Sequence, residues 1–424
     1  MIIFCIAAAL FALTAAKTAD STHNDLLLKL QQDLLRAAAN EQSLPNPSIH
    51  IALRLSTRHN LTIEGQYLQL LKTKFHEDIQ SNLDKAQPVV GRLALYVLAL
   101  KSSCQDLSNA SLLTGEKRQP LLTHLKKQLE LEKDHIMTSY RPLTNYYQYS
   151  LGVLALCVSG VRVSTQVSQK LIDTALDDQF KHGDSVSVDT VAVAGIALQC
   201  LKDADTPVIN KEKLVNALVS IRKQLLDSQR ADGHLGNEFS TGLAVQALLA
   251  LGKKVDEKSP SVKALWADVE NGTYHNPMGI SQILPALQQR SYLDLKKKNC
   301  QDEDDSLSLS SDPTVLPTVS SRRVQVDVVV LKADGSSFSY KIKVPGGTSL
   351  LETLKLLQQE QTNFTFKTED SLWGPFLSVV NGEQARQTDR RYWHLASGGQ
   401  ALSQGITDYK IETAQVITIK NTSY

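Results

Sequence analysis

The sequence predicts a mainly α chain with a smaller α+β domain at its C-terminal end, and three observations carry that expectation. From about residue 24 to 298, apolar residues recur at three- and four-residue spacing, the period of helices with buried faces. Between 299 and 321 the period stops in NCQDEDDSLSLSSDPTVLPTVSS, an acidic stretch with Ser and Pro. From Arg322 onward strict alternation takes over, the period of half-buried strands. A chain of 424 residues is long for one core, so two domains are expected. The division predicted is a removable leader at 1–19, a helical domain at 20–298, a linker at 299–321 and a β-rich domain at 322–424.

The first element is the apolar run Met1 to Ala16, which ends in small residues. It has the size of a signal-peptide core and is shorter than the about 20 residues of a membrane span. No Lys or Arg precedes the run, a departure from the usual leader. Cleavage is expected near Ala16 or Ala19, the alternative being a buried N-terminal helix. No later stretch is apolar enough to span a bilayer, so a secreted, extracellular protein without membrane insertion is predicted. Cys5 leaves with the leader, and Cys104, Cys157, Cys200 and Cys300 remain, an even number for an oxidising compartment. No CxxC is present, and four cysteines permit three pairings. Asn60, Asn109, Asn271, Asn363 and Asn421 stand in Asn-x-Ser/Thr tripeptides, whereas Asn46 is followed by Pro47. Lys plus Arg (45) nearly cancels Asp plus Glu (44), which argues against a nucleic-acid or anionic-membrane partner.

Within the helical region a loose repeat runs through GRLALYVLALKSSC (91–104), SLGVLALCVSG (150–160), VAVAGIALQCLKD (191–203) and TGLAVQALLALGK (241–253). Small residues all round a helix indicate burial on every side. Paired inner and outer helices in an α/α toroid satisfy this, with polar loops at one rim, and so does a plain helical bundle. The acidic run at 302–305 reads as part of a solvated linker rather than as a magnesium-binding motif. Beyond it, VQVDVVVL (324–331), a turn at Asp334-Gly335 and SFSYKIKV (337–344) form a hairpin. Ser349 with Glu352 is a capping box that opens a helix from Leu350 to Gln359. Strands follow near 364–367, 376–380, 390–394 and 415–420.

Catalytic signatures are missing: there is no HExxH, GxSxG, GxGxxG or P-loop, and an enzyme is not predicted. The rival reading is a toroid enzyme of terpene cyclase or prenyltransferase type, which needs a carboxylate cluster or zinc ligands facing its cavity. A protein-interaction module of the thioester type lacks its CGEQ motif here. What stands out is polar residues at the mouths of the repeated helices: Thr144, Tyr147 and Gln148; Asp189 and Thr190; Asn237 and Ser240; Asn276 and Gln282. Thr144, Asp189 and Ser240 each also fit helix capping. Together the four loops offer hydroxyl, amide and carboxylate groups to a ligand ringed with amides.

These segments carry a family resemblance. The series TxYYQYxLGxLALC, SVDTxAxAGxALxC, GHxGNxxST and ISQxLPxL resembles the vertebrate cobalamin transporters, the family of transcobalamin, intrinsic factor and haptocorrin. The likeness extends through LWGPFLSVVNG (372–382) and YWHLASGGQALSQGITDY (392–409). It implies an α6/α6 barrel joined to a β domain, with cobalamin (vitamin B12) held between them as cargo. Carried to matching positions, Thr144, Tyr147, Gln148, Asp189, Asn237, Ser240 and Gln282 would hydrogen-bond the corrin amides and nucleotide loop. Gly374, Pro375, Phe376 and Leu377, with Trp393, His394, Leu395, Ala396, Ser397, Gly398 and Leu402, would cover the other part. Trp393 fits a core position equally well. The resemblance also implies bridges Cys157–Cys200 and Cys104–Cys300, a monomeric carrier and a cell-surface uptake receptor.

The chain departs from the family pattern in places. A third bridge from the mature N-terminus is absent, so that end is expected to be looser. Val186 stands where transcobalamin has a cobalt-binding His, which implies that cobalamin binds base-on and keeps its own upper ligand. His182 lies in the same loop and reads as a solvated side chain. Arg92 replaces a ligand-touching Gln, and His394 a Gln beside Trp393.

Overall fold

The computed structural model describes residues 22–41, 44–114, 117–182, 185–204, 210–309, 320–371, 374–386, 389, 391–402 and 404–423. The expected leader lies outside the described residues, as do 310–319 of the expected linker. The chain divides into two compact units, Met1–Ser310 and Ser311–Tyr424.

In the first unit, residues 22–39 form α1. There follow α2 (Pro47–Leu55), α3 (Leu61–Leu70), α4 (His76–Asp84), α5 (Val90–Ser102), α6 (Leu121–Ser139) and α7 (Tyr146–Val158). Next come α8 (Thr165–Leu176), α9 (Val188–Asp203), α10 (Lys211–Asp227), α11 (Glu238–Ala250), α12 (Pro260–Glu270) and α13 (Pro277–Leu287). Hairpins β1 (Ser111–Thr114) with β2 (Lys117–Pro120), and β3 (Lys181–His182) with β4 (Ser185–Val186), decorate the loops. Helices α2, α5, α7, α9, α11 and α13 pack in that order, and α13 returns to α2, so six helices close a ring. The intervening helices back them from outside, α6 on α5 and α7, α10 on α9, and α12 on α11 and α13. This is the α/α toroid, not a plain bundle.

Composition explains which helices are inner. From Tyr149 to Val158, α7 is buried without a break, and α9 is nearly so. A helix with no solvent face needs small or apolar residues throughout, which is what the repeat supplies. At Gly242 the approach is backbone to backbone. A Cβ there would lie 2.8 Å from the Gln282 carbonyl oxygen and 3.0 Å from Ile283 Cα, so only glycine lets α11 and α13 meet.

Contacts fix the direction of the ring. Asp189 and Ser240 meet near the starts of α9 and α11, as do Asn46 and Met278 near the starts of α2 and α13. At the other end Cys157–Cys200 joins the last turns of α7 and α9, and Gln288 Nε2 reaches Ser56 Oγ. Helix N-termini therefore share one rim and C-termini the other.

At the C-terminal rim the acidic run is docked and not a free linker, although the side chains of Asp302, Asp304 and Asp305 are exposed as expected. Residues 302–308 form a strap packed on the helical unit. The N–H of His59 donates to the Asp304 carbonyl at 2.7 Å, and the Leu307 N–H returns a bond to the His59 carbonyl at 2.9 Å. Leu61 N–H donates to Asp305 Oδ1, and Leu307 is buried. Glu303 enters a buried cluster, paired with Arg54 and, at 2.6 Å, with Lys298. Arg54 also holds Glu64 at 2.7 Å, with His59 at 3.3 Å from the same carboxylate. The preceding Cys300 is bridged to Cys104. Both bridges implied by the resemblance are thus present.

The first residues of the expected mature chain, where looseness was expected, lie outside the described residues, and α1 itself is packed from His23 on. The His23 ring stacks on Trp266 of α12 at 4.1 Å, and Leu34 and Leu35 are fully buried. Apolar packing holds this end without a third bridge.

The second unit is β-rich. Strands β5 (Ser320–Leu331) and β6 (Ser337–Gly346) form the expected hairpin, and β7 (Thr348–Ser349) leads into α14 (Leu350–Glu360). Ser349 Oγ accepts the Glu352 N–H, one half of the predicted capping box; the reciprocal bond is not made among the described residues. Then come β8 (Phe366–Ser371), β9 (Gly374–Val380), β10 (Glu383–Gln384), β11 (Arg391–Ser397), β12 (Gln400–Ala401), β13 (Lys410–Ile411) and β14 (Gln415–Ser423). The main sheet runs β12-β11-β14-β5-β6, with β14 and β5 parallel, and a second sheet runs β10-β9-β8. Val326, Val328, Val330, Leu354, Leu357 and Phe364 are among the residues that close the core against α14.

Candidate functional site

The N-terminal rim of the toroid collects the polar residues singled out above. Four inner helices begin with an asparagine cap: Asn46, Asn145, Asn237 and Asn276 each accept backbone N–H groups of the first turn. Capping therefore falls to asparagines, not to Thr144, Asp189 or Ser240. Ser240 has Asn237 Oδ1 at 3.0 Å and Asp189 Oδ2 at 3.3 Å as acceptors for its hydroxyl. Asp189 stands in the first turn of α9, and burial raises its carboxyl above the ordinary value. No cation pairs with it among the described residues, and a partly buried carboxylate is matched by donors such as amide N–H groups. Tyr147 lies near Asp189, and burial pushes its phenol well up, so it is a neutral hydroxyl.

Gln148 sits against α5 at Gly91, where a Cβ would come within 2.8 Å of its Cγ and Oε1. The Gln282 side chain is half-buried and makes no hydrogen bond among the described residues. Thr144 is placed differently. Its N–H and hydroxyl both donate to Glu132 of α6, at 3.0 and 2.8 Å, so it anchors the loop before α7. Thr190 is likewise engaged, with Ser187 Oγ at 2.8 Å. Arg92 pairs with Asp78 of α4 and does not stand free. Val186 is exposed at the β3–β4 hairpin. The side chain of His182 lies outside the described residues.

Some contributors have no local signature in the sequence. Tyr292, on a short 3-10 turn (Tyr292–Lys297), packs among α2, α5, α7 and α9. Its hydroxyl bonds Ser48 at the start of α2, and it lies near Tyr147, so it forms a floor beneath the rim. The capping box of Ser291 and Asp294 that starts this turn was the one available signal. Asp268 at the end of α12 joins two site loops. It takes His234 Nε2 at 2.8 Å from the loop before α11, and the Tyr274 hydroxyl lies 3.1 Å away in the loop before α13. Tyr274 also donates to the Glu238 carbonyl at 2.7 Å. Asn237 and the loop leading into α13 are thus braced through one carboxylate, while Gln282 stands in the second turn of α13.

In the C-terminal unit the predicted residues divide between core and surface. Trp393, Leu377, Leu395 and Leu402 belong to or pack on the core, which settles the core position of Trp393; its indole N–H is buried without a partner. Ala396 is also buried. His394 projects to the other face of β11, beside Tyr392 at 6.1 Å. Phe376 is exposed, while Gly374 and Pro375 pair with Ser371 and Asp370 of β8. Ser397 donates to Gln415 Oε1 at 2.6 Å, and Gly398, at φ 56°, turns the chain into β12.

Residues 1–319 match the family described as eukaryotic cobalamin-binding protein, and residues 347–423 match a domain of unknown function, DUF4430. Transcobalamin-2 of Bos taurus is 37% identical over 391 residues, 88% of either chain. Transcobalamin-2 of Homo sapiens is 33% identical over 393 residues, 89% of this chain and 88% of that one. The cobalamin binding intrinsic factor of Rattus norvegicus is 29% identical, covering 93% and 91%. Among solved structures, haptocorrin in complex with Cbi superposes with a TM-score of 0.73 at 25% identity, over 95% of this chain and 98% of that one.

Proposed function

The chain belongs to the eukaryotic cobalamin-binding proteins, and we propose from that membership that it binds and transports cobalamin without chemistry on the ligand. What supports the site assignment is the rim: Tyr147, Asp189 and Ser240 lie together near helix starts, with Gln148 one residue along α7 and Gln282 on α13, and these groups supply donors and acceptors suited to corrin amides. The relatives are binding and transport proteins, and the toroid-enzyme alternative finds no support among them. The acidic run that alternative invokes packs on the opposite rim. Val186 supports retention of cobalamin's own upper ligand, since an aliphatic side chain offers cobalt no lone pair, and base-on binding is proposed from the resemblance. Residues 374–376, with His394, Ser397 and Gly398, are proposed as further ligand contacts, with Leu377 and Trp393 packed in the core behind them. Extracellular action as a monomer, with delivery to a surface receptor, is supported by the resemblance alone.

The test is uptake of aquocobalamin by the purified full chain, followed by gel filtration and absorbance. Retained corrinoid at one per chain is the expected result, and folded protein that elutes colourless refutes the carrier reading. Asp189→Ala removes the desolvated acceptor and is expected to weaken cobalamin binding about ten- to a hundredfold, the effect of one charge-assisted hydrogen bond.

Gly91→Ala tests the rim indirectly. The new Cβ must displace Gln148, since the contact is with that side chain and not with backbone. Overpacking of this kind costs about 1–3 kcal/mol. Cobalamin affinity is expected to fall about tenfold while the helical circular dichroism stays unchanged. Unaltered affinity would remove Gln148 from the ligand's contacts.

A further inference from the structure

We propose that Asn109, Asn271 and Asn363 carry N-linked oligosaccharides, and that the fold closes Asn60 and Asn421 to the same modification. The proposal rests on the extracellular reading of the chain, because only a chain that enters the secretory pathway meets the enzyme. In the reaction the side-chain Nδ2 attacks the anomeric carbon of an oligosaccharide carried on a polyprenyl diphosphate. A nitrogen–carbon bond forms, the carbon–oxygen bond to the diphosphate breaks, the diphosphate leaves with the electron pair, and the amide gives up one proton. The nitrogen that bears the sugar must then stand in solvent in the folded chain.

All five tripeptides satisfy the sequence rule equally, and the fold separates them. Asn271 is the exposed C-cap of α12, in a turn that Gly272 completes at φ 73°. Asn363 is exposed in the turn between α14 and β8, with only its backbone carbonyl engaged, by the Tyr340 hydroxyl. Asn109 is exposed at the end of a 3-10 turn, and its one bond runs to Asp106, itself exposed. None of these three nitrogens supports packing.

Asn421 is the opposite case. It is 3% exposed, near the end of β14 opposite Trp393. Its Oδ1 takes Arg391 Nε at 2.7 Å, and its Nδ2 donates to Glu383. A sugar on that nitrogen has no room at a side chain so buried and wedges the sheet open. Asn60 is the N-cap of α3, accepting the Ile63 N–H at 3.0 Å, and its Nδ2 donates to the Leu307 carbonyl at 2.9 Å. The strap lies over it, held by the neighbouring Leu61–Asp305 bond. A glycan on Asn60 and a docked strap are therefore alternatives. Because transfer occurs as the chain folds, chains modified at either position fail to complete the native packing.

The experiment is secretion of the full chain from a eukaryotic host, followed by enzymatic release of glycans in heavy-oxygen water and peptide mass spectrometry. Label is expected at Asn109, Asn271 and Asn363 and nowhere else. The triple variant Asn109→Gln, Asn271→Gln, Asn363→Gln is expected to be secreted without glycan and to bind aquocobalamin as the parent does. Label at Asn60 or Asn421 in folded, secreted protein overturns the proposal, as does secreted protein bare at any of the three exposed sites. A chain that stays inside the cell without any glycan overturns the extracellular reading along with it.

Discussion

Arg54→Met is expected to lower the stability of the helical unit by about 3–5 kcal/mol, the cost of removing one partner from a buried ion pair. Arg54 is buried, and its guanidinium bridges Glu64 and Glu303 while Nε reaches the Ser102 carbonyl at the end of α5. Methionine retains most of the stem, so packing is largely preserved and the charge is what is lost. Two carboxylates then face each other with only His59 and Lys298 to compensate. Adding Glu64→Gln is expected to recover much of the loss, because the unpaired charge is gone. Urea unfolding of the single and double variants measures both terms. A loss below about 1 kcal/mol would mean that the cluster behaves as an exposed surface pair.

The same cluster fixes how stability depends on acid. Burial alone would raise Glu64 and Glu303, but His59 and Arg54 outweigh it for Glu64, and Arg54 and Lys298 for Glu303, so both end below the ordinary value of 4.5. A depressed carboxyl contributes stability above its unfolded value and loses it as pH falls through the folded one. His50 acts in the same direction from a different start. It is fully buried beside the cluster, Nε2 lies 2.7 Å from Ser103 Oγ, and burial lowers it from 6.5 to about 3. A histidine held neutral stabilises fully above 6.5 and progressively less down to about 3. The contribution of these three groups should therefore be flat above pH 6.5 and decline first through His50 and then through the two glutamates below 4.5. The gap between parent and Arg54→Met should narrow over that last interval, since the variant no longer holds its carboxyls down.

What could be read in advance followed periodicity. The Ala/Gly/Leu helices carry their burial on every side in their own composition, so the inner ring was legible, and alternation marked the β5–β6 hairpin. The strap was not legible, because its docking depends on Arg54, Glu64 and Lys298, and an ion pair 249 residues apart leaves no local period. An acidic run reads the same way whether water or a buried guanidinium receives it. The rim shows the same limit. Thr144 resembles a ligand contact or a cap, and only the position of Glu132 on the preceding outer helix reveals that it anchors a loop. Trp393 could not be assigned until the strand's facing was known. Resemblance supplied what pattern could not, above all the cysteine pairing.

Replacing Cys104 and Cys300 by serine is expected to cost about 5 kcal/mol, more than the about 4 kcal/mol expected for the Cys157–Cys200 pair, if loop-closure entropy governs. The bridges close 196 and 43 residues, and the cost grows only with the logarithm of that length. Local structure should widen the difference. Cys157 and Cys200 end two helices that already pack along their length, so the ring holds them together without the bond. Cys300 instead fixes the chain three residues before Glu303, which keeps the carboxylate at high effective concentration for Arg54 and Lys298. With the bridge cut, the strap is held by the ion cluster, by its bonds to His59, Asn60 and Leu61, by the Gln32 amide donating to the Ser308 carbonyl at 3.1 Å and by the buried Leu307. Losing both the bridge and Arg54 should then release residues 302–308 outright, and hydrogen exchange on Leu307 should rise far more than either change alone produces. Equal losses for the two bridges in urea unfolding, with Leu307 still protected in the combined variant, would show that native packing and not chain connectivity holds the strap.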